Sequence, residues 1–176
     1  VGRLTTIGNY QLIDPKFRKN SRRYLFQCSL AGATILIILV FLDVITHTAI
    51  IATLGASAFV VFTMPQSYSS QLRPLLGGYL IGISVGCICY LLSCAWFLMP
   101  VLLTQRTSYI VFGALAVGVA ILLMTITNSE HPPAVGMALG LVLNEWDCYT
   151  LVFILAAVTF MAGVREILKK QLINLR

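Results

Sequence analysis

The feature that most limits what this chain can become is a succession of apolar runs with only a few polar residues between them. They extend from about Tyr24 to Thr46, Thr48 to Met64, Pro74 to Leu98, Ser108 to Thr127, Ala134 to Leu143 and Tyr149 to Leu168. A helix crossing a bilayer takes roughly 20 apolar residues, so 176 residues hold these segments and little else. Only 10% of the residues are charged and the mean hydropathy is +0.91, whereas soluble domains carry about a quarter charged residues. The expected fold is an all-α polytopic membrane protein with four long transmembrane helices and two short, interrupted or half-membrane ones. Residues 1–23 form a basic cytoplasmic or interfacial segment, in which Pro15 to Tyr24 suits a short surface helix. Residues 24–168 form the membrane domain and 169–176 a cytoplasmic tail.

The net charge of +6 does not point to nucleic acid, because the basic residues gather at the two ends of the sequence. With a cytoplasmic amino end and six crossings, eleven of the twelve basic residues fall on the cytoplasmic side and Arg106 alone falls outside, as the positive-inside rule requires. If the two short segments are re-entrant, Arg73 changes sides. Residues 1–20 lack the apolar core of a cleaved leader. The expected location is a bacterial inner membrane with both termini cytoplasmic, or a plastid envelope in a plant.

The two short segments stand in matching positions of two groups of three, residues 24–98 and 107–168. An odd number of crossings per group makes the second copy inverted, and interrupted segments so placed point to a transport site. In the first, Thr53, Gly55, Ala56 and Ser57 combine small residues, which let a ligand approach the backbone, with hydroxyls able to cap a helix or donate a hydrogen bond. In the second, Asn128, Ser129, Glu130 and His131 precede Pro132 and Pro133, which fit only the first turn of a helix. Such a helix directs the positive end of its dipole at its start, so two of them meeting at mid-membrane would hold an anion without a buried cation. Glu130 and His131 are also candidates for a proton relay or gate. The bland alternatives are tight helix packing at Gly55 and Ala56, and a His131 that only buttresses the Pro-Pro turn.

Gly78, Gly82 and Gly86 recur every four residues, and Gly136 and Gly140 repeat that spacing. Such faces let helices pack closely, within the subunit or between copies, so a homo-oligomer is expected. Trp96, Tyr109, Trp146 and Tyr149 suit the bilayer interface. The five cysteines, Cys28, Cys87, Cys89, Cys94 and Cys148, read as buried small apolar residues rather than metal ligands. No metal or other cofactor is expected. Hydrolase and phosphate-loop motifs are missing, and the chain is not expected to be an enzyme.

The chain resembles the HPP family of integral membrane proteins, whose defining triplet stands here as His131-Pro132-Pro133. A second mark is Leu54-Gly55-Ala56-Ser57-Ala58 continuing to Phe62 and Pro65, then Ser67, Arg73 and Gly77-Gly78. The likeness covers about residues 26–168. It implies a channel or transporter for nitrite or a similar small monovalent anion, nitrate among them, passing near Gly55 to Ser57 and His131 to Pro133. Glu130 and Val135 depart from the family pattern, which leads one to expect a small or apolar residue and a glycine there. The alternatives are a proton-linked transporter of another small solute, and a non-transporting sensor or assembly subunit.

Overall fold

The computed structural model describes residues 15–41, 48–97 and 105–175, and these are helical apart from short connections. Six α-helices follow one another: α1 (Pro15–Phe41), α2 (Thr48–Thr63), α3 (Leu72–Phe97), α4 (Gln105–Ile126), α5 (Pro132–Leu143) and α6 (Cys148–Leu168), with one short 3-10 turn, Tyr68–Ser70, before α3. Each apolar run of the sequence became one helix. Among the described residues α3, α4 and α6 are long and apolar enough to cross a membrane, and α2 and α5 are the shorter apolar helices. The fourth long span expected from the sequence corresponds to α1, whose first turns are polar and which is broken at Asn20 (φ −125°, ψ 27°). Its expected far end, like the basic residues before Pro15, lies outside the described residues.

The helices alternate in direction. Arg22 and Arg23 near the start of α1 share a groove with Lys170 after α6, while Arg73 at the start of α3 shares another with Arg165 and Lys169. Arg73 also donates to the carbonyl of Thr127 just after α4 (3.0 Å). One end of the bundle therefore collects the basic residues from three separate stretches of sequence, and Arg73 stays with them. This is the arrangement expected when all six segments alternate in direction.

The middle of the bundle is α5. Burial of Ala134, Met137, Ala138, Leu141 and Val142 follows from contact with α2, α3 and α4 together. The glycine row of α3 forms its seat: a Cβ on Gly78 would meet the His131 side chain, on Gly82 the Ala134 carbonyl, and on Gly86 the Ala138 carbonyl. On its other side Gly136 faces Thr53 and Gly140 faces Ala49 and Ile50 of α2. As α2 runs from Ala49 to Ser57 its neighbours run from Gly140 back to His131, so α2 and α5 are antiparallel. Of the two uses open to these glycine faces, packing within the subunit or between copies, the fold shows the first for Gly78, Gly82, Gly86, Gly136 and Gly140.

The tail after α6 folds back over the basic end. Gln27 is fully buried in α1 and donates to Phe62 O (2.7 Å) and Ile173 O (2.9 Å), while Leu175 N donates to Thr63 O (2.9 Å). Leu172 and Leu175 are buried. The α6 start is capped by Asp147, which accepts from the backbone N–H and the hydroxyl of Thr150 (2.8 and 2.7 Å). Asp147→Ala removes both bonds and is expected to cost about 1 kcal/mol, visible as a lower thermal midpoint in detergent.

The cysteines correct the sequence expectation. Cys89 is buried and Cys87 half-buried, but Cys28, Cys94 and Cys148 are exposed. An outward helix face in a bilayer meets hydrocarbon, so a weakly polar side chain needs no burial inside the protein. Trp146 is not merely interfacial: it packs against Tyr90 with ring centroids 5.3 Å apart and donates to Leu141 O at the end of α5 (2.9 Å).

Candidate functional site

Where the two short helices meet α3, the protein buries a chain of polar groups in an otherwise apolar core. His131, the residue that precedes α5, and Ser57 of α2 are fully buried, as is Tyr79 of α3. His131 Nδ1 lies 2.8 Å from Ser69 O and Nε2 lies 2.8 Å from Ser57 Oγ. Ser57 Oγ lies 2.7 Å from the Tyr79 hydroxyl, which lies 3.2 Å from Thr53 O. The His131 and Tyr79 rings also touch, with centroids 5.6 Å apart.

Both ends of this chain are backbone carbonyls, which can only accept. Between them are four donor–acceptor links: Ser69 to His131, His131 to Ser57, Ser57 to Tyr79, and Tyr79 to Thr53. A neutral imidazole, a serine and a tyrosine bring three protons to the four links. The Nδ1 proton serves Ser69, Ser57 donates to Nε2, and Tyr79 donates to Thr53 O, which leaves the Ser57–Tyr79 contact without its own proton. A second proton on the ring would let Nε2 donate to Ser57 and Ser57 donate to Tyr79, which fills all four. The arrangement therefore has two hydrogen-bonded states that differ by one proton.

The residues proposed from sequence divide into those that join this cluster and those that do not. Thr53, Ser57 and His131 are brought together. Ser129 is buried beside them, near enough to Gly77 that a Cβ there would clash with its hydroxyl. Gly55 is half-exposed and Ala56 exposed, on the opposite face of α2. Asn128 is also exposed, its backbone in the left-handed region (φ 50°), its carbonyl accepting from the Tyr68 hydroxyl. Pro132 is exposed and Pro133 half-buried.

Glu130 is exposed and takes part in neither ion pair found among the described residues. It pairs with neither Arg73 nor His131, whose nitrogens are both engaged elsewhere. Instead Glu130 and His131, with Thr125 of α4 and Val135, line an open groove of about 500 Å³ beside the start of α5.

Two expectations about helix starts need correction. Helix α2 begins at Thr48, so Gly55, Ala56 and Ser57 lie inside it and their amides belong to helical bonds. Alanine and serine continue a helix readily, and nothing in that string compels a break. At α5, Pro132 and Pro133 have no N–H, and the Ala134 amide donates to His131 O (2.9 Å), so the first turn presents no free amide. What converges here is the positive end of the α5 dipole together with hydroxyls and an imidazole.

Tyr79 is the member of the cluster that sequence does not single out. It stands beside Gly78 in a helix that sequence assigns to packing, and nothing in that neighbourhood marks its hydroxyl as part of a site. Among the described residues no group of three histidine, cysteine or acidic side chains comes together as a metal site would.

Alternating apolar helices closed around a buried, uncharged polar cluster define a polytopic α-helical integral membrane protein. The chain belongs to the HPP family: the model described as HPP, transmembrane region, matches residues 16–171. A curated transmembrane protein of Dictyostelium discoideum is 31% identical over 108 residues, which is 60% of this chain and 35% of that protein. The aligned part thus spans about a third of the relative's length. No solved structure matches.

Proposed function

We propose that this protein is a channel or transporter for a small monovalent anion, with nitrite as its principal substrate and nitrate as a related one. The observation that carries the proposal is the uncharged chain of Ser57, Tyr79 and His131 at the dipole-positive start of a half-length helix. Helix α5 has 12 residues, about 18 Å at 1.5 Å per residue, against a hydrocarbon core of about 30 Å. Its start offers a partly dehydrated anion a favourable potential beside hydroxyls that can turn from one another toward it, with no fixed positive charge strong enough to trap it. The basic end of the bundle is the cytoplasmic one, by the positive-inside rule.

Two of the packing relations have inverted counterparts, α3 against α5 as α6 against α2 and α4 against α5 as α1 against α2, while α1 and α6 do not match the extensive packing of α3 on α4 among the described residues. Short helices at equivalent places, antiparallel to one another, are the device by which such folds build a substrate site.

A second reading is favoured by one observation, the presence of Glu130 beside His131 in the groove. A carboxylate there repels an anion but can deliver a proton, which suits proton-linked movement of another solute. Flux into proteoliposomes under separate nitrite, chloride and proton gradients decides between them. Saturable nitrite uptake driven by its own gradient supports the anion reading. Uptake of nitrite no faster than into empty vesicles, by folded protein, removes it.

A further inference from the structure

We infer that the basic end of the bundle carries a binding site for a phosphate-type oxyanion, separate from the His131 cluster. The site is a pocket of about 540 Å³ where the end of α2, the start of α3 and the end of α6 converge. Its lining includes Gln66, Gln71, Arg73, Arg165, Glu166 and Lys169. Three cations against one carboxylate leave the pocket with a formal charge of +2.

Arg165 is the central observation. It lies at the end of a membrane helix yet is only 4% exposed, whereas an arginine there ordinarily extends to water. One terminal nitrogen donates to Pro65 O (2.7 Å) and the other pairs with Glu166, but its Nε is buried with no partner. A guanidinium held inside a pocket with its Nε donor unspent is suited to an oxygen acceptor there, because a buried unsatisfied donor is costly and oxyanions take several charge-assisted bonds at once.

The surroundings agree. The amides of Leu72 and Arg73, at the start of the 26-residue α3, have no acceptor within the helix and carry the positive end of its dipole. Lys169 is free to turn toward a ligand: its side chain is 62% exposed and it stands 3.6 Å from Glu166. Glu166 and the α6 carbonyl end oppose an anion, but Glu166 is already shared between Arg165 and Lys169. The volume greatly exceeds that of a bare triatomic ion and accommodates a phosphate with a substituent. Free phosphate and the phosphodiester headgroup of an acidic lipid present the same oxygens to these groups.

This inference does not depend on the transport reading, and either can fail alone. The test uses the purified full chain in neutral detergent at constant ionic strength. Thermal unfolding is followed against inorganic phosphate, and retention of phosphatidylglycerol against phosphatidylcholine is followed by native mass spectrometry. Stabilisation by phosphate supports the site as one for a free oxyanion, and selective retention of phosphatidylglycerol alone supports it as a headgroup site. In either case Arg73→Gln combined with Lys169→Gln should weaken the apparent affinity about tenfold, read as the ligand-dependent shift from the variant's own unliganded midpoint, because Arg73 also donates to Thr127 O. Arg165→Gln loses the Pro65 bond and tests folding as well as binding, so the double variant is the decisive one. No response to phosphate or phosphatidylglycerol, or a response that the double variant leaves unchanged, overturns the inference.

Discussion

A Gly82→Ala chain is expected to lose about 2 kcal/mol or more of stability, although the same change in an open helix position should stabilise. Alanine is favoured over glycine in helices by about 1 kcal/mol, so the sign must come from the surroundings. A Cβ on Gly82 would lie closer than 3.0 Å to the carbonyl oxygen of Ala134. That neighbour is backbone in the first turn of α5, immediately after two prolines, and it cannot move aside without shifting the helix. Overpacking of this kind costs about 1 to 3 kcal/mol and sometimes more. Gly118 and Gly163 have nothing within 4 Å of an added Cβ, and alanine at either should leave stability unchanged or slightly raised. Thermal unfolding in detergent of the three variants side by side tests this. Equal behaviour of Gly82→Ala and Gly163→Ala would mean that the α3–α5 contact is looser than the geometry indicates.

That contact also shows where sequence is informative. The four-residue glycine spacing marks α3 as a packing helix, and the prolines place the start of α5 at Pro132, because each signal acts through its own backbone. Apolar run lengths do the same for the helix boundaries. What sequence leaves open is the partner of each face. Glycine recurrence is the same whether the neighbour is a second copy or α5, and only the fold brings Gly78 to His131. The start of α2 departs from expectation because small residues permit a break without requiring one. Tyr79 and Gln27 escape notice for a related reason: a single polar side chain in an apolar helix has no periodicity. Its role depends on partners 22 and 35 positions away, Ser57 and Phe62.

The two motifs shared with the family lie 74 positions apart at Ser57 and His131 and meet through one hydrogen bond. Their separate appearance in sequence is explained by that contact. Gly136 and Gly140 of α5 let α2 approach at Thr53, Ala49 and Ile50, and the Pro-Pro start fixes where His131 stands. The triplet does more than buttress a turn, since one imidazole nitrogen secures the Ser69 carbonyl while the other orients the serine toward Tyr79.

His131→Ala should therefore lower nitrite flux at least about tenfold, equivalent to the loss of one or two hydrogen bonds of about 1 kcal/mol each at the site. It also leaves Ser57 without its acceptor and the Ser69 carbonyl without its donor, so folding must be checked by monodispersity and thermal midpoint. His131→Gln separates the two roles of the imidazole. Its amide supplies an NH2 group that donates and an oxygen that accepts, enough to restore the links to Ser69 and Ser57, but it cannot take up a second proton. In the anion reading, flux driven by the nitrite gradient largely survives in His131→Gln, because the cluster needs orientation and not titration. A folded His131→Gln protein as inactive as His131→Ala would show that the extra proton is required. The four-link chain would then act as the coupling element, and proton-linked transport would replace simple anion passage. Tyr79→Phe adds an independent check, since only the protonated ring frees the Ser57 proton for Tyr79 to accept; its flux should fall in part in the first case and as fully as that of His131→Gln in the second.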